Sequence, residues 1–386
     1  MRAMPLRARL VFVGVFSLIA ALLFGAGVWG LAPPEAQWPS VLAWSVRALG
    51  VVAVVLLVAL LIRSNTARGT DAQAKVAHVL LGVGWMLFTA TLVTDVALRL
   101  PLLLAGVGNP VRSRVVAVAL FVLWAVAALW AHREATRVPR VRRVEVPIAD
   151  LPPALSGTTI AVLTDTHFDA WTSRDWADGV VARVNALGSD IVVHAGDLAD
   201  GSVALRGAQV AALAGVASPH RYYIAGNHEY YSGVYDWLGQ MAGHGWQVLL
   251  NDHAVVEQPV GSGAGLVMAG VDDPTGVGRG RGPDLSAALE SAPHGRPVVL
   301  LAHQPHLIRD AVDRVDLQIS GHTHGGQIWP FHYLVRLREP VVQGLSRHGA
   351  RTQLYTSRGT GFWGPPFRLF APSEISLLTL VPAPSR

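Results

Sequence analysis

Apolar positions fall into two patterns along the chain. Up to about residue 131 they form long runs. Leu10 to Leu31 is 22 residues without a charge, enough for a helix to cross a hydrocarbon core of about 30 Å. Val41 to Ile62 follows with Arg47 near one end, then Val76 to Thr94, closed by Asp95, then the 17 residues Val115 to Ala131. The pattern predicts four membrane-spanning helices. A cleaved signal peptide would also begin with Arg2, Arg7 and Arg9, but its apolar core is only about 7 to 15 residues, and here three more spans follow. Arg47 is placed to snorkel to the interface, and Asp95 and Arg99, four apart, can neutralise each other on one helix face.

After Pro147 the runs become short and end in polar motifs: Thr158 to Leu163, Asp190 to Val193, Arg221 to Ile224, Leu266 to Val271, Pro297 to Leu301, Leu317 to Ser320, Gln353 to Ser357 and Ile375 to Val381. They alternate with helical stretches, which predicts an α/β fold with helices on both faces of the sheet. Unbroken apolar character in "TTIAVLT" and "PVVLLAH" fits strands covered on both sides. The expected organisation is four spans over 1–131, a basic juxtamembrane linker over 132–156 and one catalytic domain over 157–386. Gly-rich "GSGAG" and "GVGRGRG" read as loops, since neither has the strand-to-helix context of a nucleotide motif.

Charge sharpens this division. The chain of 386 residues is 51% apolar and 15% charged, with mean hydropathy +0.38. Residues 1–150 hold 15 Lys+Arg against 6 Asp+Glu, and the rest hold 16 against 20, so the net +5 is +9 and −4. The basic excess flanks apolar runs, which argues against a nucleic-acid partner and for a lipid bilayer. With the N-terminus inside, Arg2, Arg7, Arg9, Arg63, Arg68, Lys75, Arg133, Arg137, Arg140, Arg142 and Arg143 are cytoplasmic, against Arg99, Arg112 and Arg114 outside. Eleven against three predicts a multi-pass protein of the inner or plasma membrane with a cytoplasmic catalytic domain. The cluster from Arg133 to Arg143 reads as a topology anchor that could also attract anionic headgroups. The absence of cysteine excludes disulfides, thiolate metal sites and thiol nucleophiles.

Thirteen of the 15 histidines lie after residue 150. The predicted strands end in Asp165-Thr166-His167, Gly196-Asp197, Gly226-Asn227-His228-Glu229, His303 and Gly321-His322-Thr323-His324. Singly these are weak signals. Together they put carboxylate, imidazole and amide donors at strand ends, where open α/β sheets collect ligands, and such donors suit Mn, Fe, Co or Zn. Two such ions need about this many donors and a shared carboxylate.

The series D-x-H, G-D, G-N-H-E, H, G-H-x-H resembles the calcineurin-like metallophosphoesterase superfamily over roughly 157–383. The resemblance implies a central β-sandwich flanked by helices and two divalent ions, with Mn favoured. One ion would be held by Asp165, His167, Asp197 and His324, the other by Asp197, Asn227, His303 and His322, with Asp197 bridging. His228 would be the non-ligand catalytic histidine and Glu229 a supporting group. "GHTHGGQIWPF" and "SRGTGFWGPPFRLFAPSEISLLTL" resemble the membrane-associated bacterial branch, which includes phosphodiesterases cleaving UDP-2,3-diacylglucosamine. His306 departs from relatives that often carry an acid there. His194, His220, His244, His332 and His348 lack ligand spacing. Arg358 and Arg368 could bind a diphosphate, and Trp363 and Phe367 could pack on a base or acyl chain, although an aromatic-proline turn closing the sheet accounts for the same residues.

These features point to a phosphodiesterase or pyrophosphatase acting on a phosphate-ester substrate that is lipid-linked. A phosphatase or cyclic-nucleotide phosphodiesterase for a soluble substrate and a non-enzymatic scaffold are the competing classes.

Overall fold

A computed structural model describes residues 6–64, 69–257, 261 and 263–384. Arg2, Arg68, Ser262 and the side chains of Arg7 and Arg9 lie outside what is described. The chain divides into two compact units. One comprises Met1–Glu134 with Gly364–Leu369, the other Ala135–Trp363 with Phe370–Arg386.

The first unit contains the helices Leu6–Leu31, Ser40–Ser64, Asp71–Thr94 and Val111–Thr136. Among the described residues, four helical stretches are long and apolar enough to cross a membrane. The third does not stop at Asp95 as the charge pattern suggested. It continues through a π turn, Asp95–Arg99, to Leu104, giving a stretch of 34 residues. The carboxylate is tolerated because Arg99 Nε donates to Asp95 Oδ1 at 2.6 Å, one turn on. The last helix is 26 residues rather than 17, since its polar ends are helical too. Leu18, Val41, Leu104 and Leu129 point outward, exposed, as expected of helices whose solvent is lipid.

Gly364–Leu369 had been expected in the catalytic domain. Instead it joins the helical unit: Phe367 occupies the space over Gly82, where a Cβ would come 2.4 Å from the ring, and Arg368 N–H donates to the Ala131 carbonyl at 2.9 Å.

Among its described residues the second unit has twelve strands: β1 Arg140–Ile148, β2 Thr159–Leu163, β3 Ile191–Ala195, β4 His220–Ile224, β5 Gln247–Val248, β6 Asp252–Glu257, β7 Gly265–Gly270, β8 Val298–Leu301, β9 Leu317–Ser320, β10 Gly344–His348, β11 Thr352–Thr356 and β12 Glu374–Pro382. They form two six-stranded sheets, ordered β1-β12-β2-β3-β4-β5 and β10-β11-β9-β8-β7-β6. Alternation of side chains assigns each strand to two cores. Ile160 and Val162 meet Val299, Leu301 and Ile319 between the sheets, whereas Ala161 and Leu163 pack outward under Val180, Val184, Trp237 and Met241. On the other sheet, Val267, Ala269 and Leu300 pack outward with Ala288, Ile308 and Ala311. The result is a β-sandwich with helices on both outer faces, and burial on both sides explains the unbroken apolar runs.

One element corrects the domain reading. Arg140–Ile148, read as basic linker, is an edge strand paired in parallel with β12 from Arg140↔Glu374 to Ile148↔Pro382. Its arginines masked the valines at 141, 144 and 146. The other strands missed, β5, β6 and β10, are short or half-exposed.

Candidate metal centre

Strands β2, β3 and β4 run parallel in one sheet, and β7, β8 and β9 run parallel in the other. Their C-terminal ends therefore release the motif loops side by side. Asp165 and His167 follow β2, Asp197 and Asp200 follow β3, Asn227 and His228 follow β4, His303 follows β8, and His322 and His324 follow β9. Asp165, His167, Asp197, His322 and His324 all have φ between 42° and 68°, a region costly for residues with a Cβ. Such strain persists where surrounding structure enforces it, commonly at ligand sites. Two glycines make the crowding possible: a Cβ on Gly226 would lie 2.3 Å from Asp197 Oδ1, and one on Gly321 would lie 2.2 Å from Asp165 Oδ2.

The donor atoms converge. Those of Asp165, His167 and His324 lie within 4.8 Å of one another, as do those of Asp197, His303 and His322. His167 Nδ1 donates to Asp200 Oδ1 at 3.0 Å, which leaves Nε2 turned inward as the ring atom a metal would take. That Nε2 faces His324 Nε2 at 3.0 Å, with Asp165 Oδ1 3.4 Å from His324 and Asp197 Oδ2 3.7 Å from His167. Likewise His303 donates from Nδ1 to the Ala195 carbonyl at 2.8 Å; its buried Nε2 points at Asp197 Oδ2, 3.1 Å away, and makes no hydrogen bond. His322 Nδ1 and Asn227 Oδ1 approach to 3.0 Å. Imidazole nitrogens, carboxylate oxygens and an amide oxygen converging in a buried site are the ligand types of borderline divalent ions, so this donor set fits divalent metal ions.

Two acids hold the centre in shape. Glu229 is fully buried and accepts from the backbone N–H groups of Gly226, Leu198 and Asp197 at 2.5, 2.6 and 3.1 Å, clamping two motif loops together. Burial, aided by Asp197, raises its pKa to about 7. Asp200 was not picked out from the sequence, although the signal was there as the second carboxylate in "GDLAD". Its Oδ1 accepts from both His167 Nδ1 and His228 Nδ1, the latter at 2.5 Å, so one carboxylate orients both rings. Burial alone would raise Asp200, but His167 and His228 outweigh it and hold it far below the ordinary range. For His228, burial opposes the charge, but Asp197 and Asp200 raise its pKa to about 9. Its Nε2 lies 4.0 Å from Asp197 Oδ2.

Comparison with known proteins agrees with this geometry. A family model for calcineurin-like phosphoesterases matches residues 158–326. An uncharacterized metallophosphoesterase of Aquifex aeolicus is 30% identical over 257 residues, which are 65% of this chain and 95% of that protein. The chain belongs to the calcineurin-like phosphoesterases. A transmembrane protein with metallophosphoesterase domain from Danio rerio is 36% identical over 269 residues, 67% of this chain and 61% of its own length. A metallophosphoesterase of Helicobacter pylori is 36% identical over 248 residues, 63% and 64% of the respective chains. This chain thus spans under two thirds of the length of both these relatives.

Asp165, His167, Asp197, Asn227, His228, His303, His322 and His324 all lie inside the calcineurin-like phosphoesterase match; the four residues expected to contact substrate, Arg358, Trp363, Phe367 and Arg368, lie beyond it and fare differently. Trp363, half exposed, sets its ring 5.9 Å from that of His228, and its backbone exchanges two hydrogen bonds with the Gln327 side chain. Arg358 passes beside Gly325, but its guanidinium is committed to buried Glu374 at 2.6 Å. Arg368 is fully buried and belongs with the helical unit. His306, where an acid was expected, is itself tied to an acid, Glu339, at 3.2 Å. His194 is buried in β3 with its Nε2 3.0 Å from Thr166 Oγ1, and burial lowers its pKa to about 3.

Proposed function

We propose that this chain is a membrane-bound phosphohydrolase with a dinuclear metal centre, cleaving a phosphodiester or diphosphate carried by a lipid, such as UDP-2,3-diacylglucosamine, on the cytoplasmic side of the inner or plasma membrane. The observation that carries the hydrolytic reading is the convergence of six carboxylate and imidazole side chains, with Asn227 against His322, beside His228 and its Asp200 partner. Asp165, His167, Asp197 and His324 would hold one ion, and Asp197, Asn227, His303 and His322 the second. Two divalent ions there would offset the charge of a phosphate ester and lower the pKa of a water, which is the chemistry such centres supply.

The protein's own groups do the rest. Asp197 lies between the two donor sets, and only a carboxylate can serve both with two oxygens and a full charge. Asp200 keeps the His228 ring in one orientation by accepting its Nδ1–H, leaving Nε2–H to face the centre. A cationic histidine there can stabilise charge on a phosphoryl oxygen or protonate the leaving oxygen. Trp363, beside His228, is positioned to press on the leaving portion of a substrate.

Four apolar helices on the same chain support the lipid-linked reading, because anchoring raises the local concentration of a membrane-borne substrate. The test is turnover of the purified full chain with Mn²⁺ against UDP-2,3-diacylglucosamine, phospholipids, bis-p-nitrophenyl phosphate and phosphopeptides. Selective cleavage of the diacylated diphosphate is expected. Preference for phosphopeptides would replace the lipid reading, and no turnover of any ester would overturn the hydrolytic one.

A further inference from the structure

The segment directly after the last histidine pair contains the most exposed apolar side chains of the catalytic unit that cluster in sequence. His332–Val335 is a short helix, and backbone hydrogen bonds continue the turn through Leu337 N–H to Leu334 O and Glu339 N–H to Val335 O. On it Tyr333 is 58% exposed, Leu334 51% and Leu337 84%. Positions 333, 334 and 337 stand on one side of a helical turn. Arg336 and Arg338 are exposed beside them, with the Arg336 guanidinium 6.0 Å over the Tyr333 ring. No acid offsets them at the surface: from Pro330 to Arg338 there is none, and Glu339 is buried against His306. Phe370, also exposed, meets Trp329 ring to ring at 6.3 Å. It immediately follows Leu369, the end of the segment that belongs to the membrane-spanning unit.

Leucine and tyrosine flanked by arginine, on one turn of helix, is the composition of an element that lies in the headgroup region of a bilayer: apolar tips enter, and guanidinium groups stay at the phosphates. We infer that the turn from Phe331 to Arg338 is an interfacial docking element that seats the catalytic unit on an anionic lipid surface. The two arginines select anionic over zwitterionic headgroups. A bilayer is the occupant because the same chain carries four spans, so the surface is never more than a tether away. This inference rests on the spans and the patch, not on the hydrolytic reading.

The chain has no cysteine, so Leu337→Cys accepts a single environment-sensitive fluorophore without competition, and Leu205→Cys, on a leucine of the helix Val203–Val210 that is 67% exposed, serves as reference. The full-length variants are reconstituted in nanodiscs containing phosphatidylglycerol and a headgroup-labelled nitroxide lipid. Quenching at 337 is expected to exceed that at 205 by roughly fivefold, to fall in purely phosphatidylcholine discs, and to fall again when Arg336→Glu and Arg338→Glu are added. Equal quenching at 337 and 205 would overturn the docking. So would a protected label at 337 that persists in lipid-free detergent and strengthens with protein concentration, which would assign the patch to a second copy. Quenching at 337 indifferent to lipid charge and to the arginines would overturn the choice of an anionic surface.

Discussion

Asp200→Asn isolates what the shared carboxylate does. Its Oδ1 accepts two ring N–H groups, from a donor of the cluster and from the histidine beside it, whose rings also meet edge-on with centroids 4.6 Å apart. Asparagine keeps an oxygen that can accept but removes the charge, and a charge-assisted bond is about twice as strong as a neutral one. If each bond falls from about 2 to about 1 kcal/mol, the two together lose about 2 kcal/mol of orientation. Loss of the second-largest influence keeping His228 protonated adds to this, since Asp200 stands next to Asp197 in raising it. The expected cost is about 30- to 150-fold in kcat/KM, at 1.36 kcal/mol per tenfold. Because His167 also loses its anchor, apparent Mn²⁺ affinity should fall by about 10- to 100-fold. Hydrolysis of bis-p-nitrophenyl phosphate across a Mn²⁺ titration separates the two effects: the affinity loss is overcome by metal, and the rate loss is not. A variant within about threefold of the native rate and native Mn²⁺ dependence would refute the assignment of Asp200 as the group that orients both rings.

Asp197→Asn should abolish nearly all turnover and weaken both metals together; two tightly bound metals at native rate would end the dinuclear assignment. His228→Ala should retain metal while losing about 10²- to 10⁴-fold in rate, and metal loss measured by elemental analysis would make it a ligand instead. His194 carries a pH prediction. Its folded value of about 3 lies below the ordinary 6.5, so the folded state binds fewer protons and stability falls as pH drops through this window, by about 2 kcal/mol between pH 7 and pH 5. His194→Gln should flatten the melting temperature over that range, and an unchanged slope would contradict the argument. A reporter fused at the C-terminus should be cytoplasmic, and neutralising Arg133, Arg137, Arg140, Arg142 and Arg143 should weaken or flip that orientation. An external reporter in the native chain would mean that one apolar stretch does not span.

The four long apolar helices and the candidate donor motifs were legible residue by residue because each depends on local chemistry. A helix in lipid must be apolar over its own length, and a donor at a strand end must be one of a few side chains, flanked by glycine where backbones approach closely. The sandwich strands with two buried faces were legible for the same reason. What could not be read this way depends on partners distant in the chain. Arg140–Ile148 is a strand only because β12, more than 230 residues later, offers it an edge, as the Arg140↔Glu374 register shows. Asp200 is recognisable as the orienting acid only after folding brings His167 and His228 to one of its oxygens. Arg358 and Arg368 looked alike in sequence, yet a buried glutamate claims one and the helical unit encloses the other. Local chemistry selects residues able to act, and which of them meet is decided by packing between segments that the chain's order keeps apart.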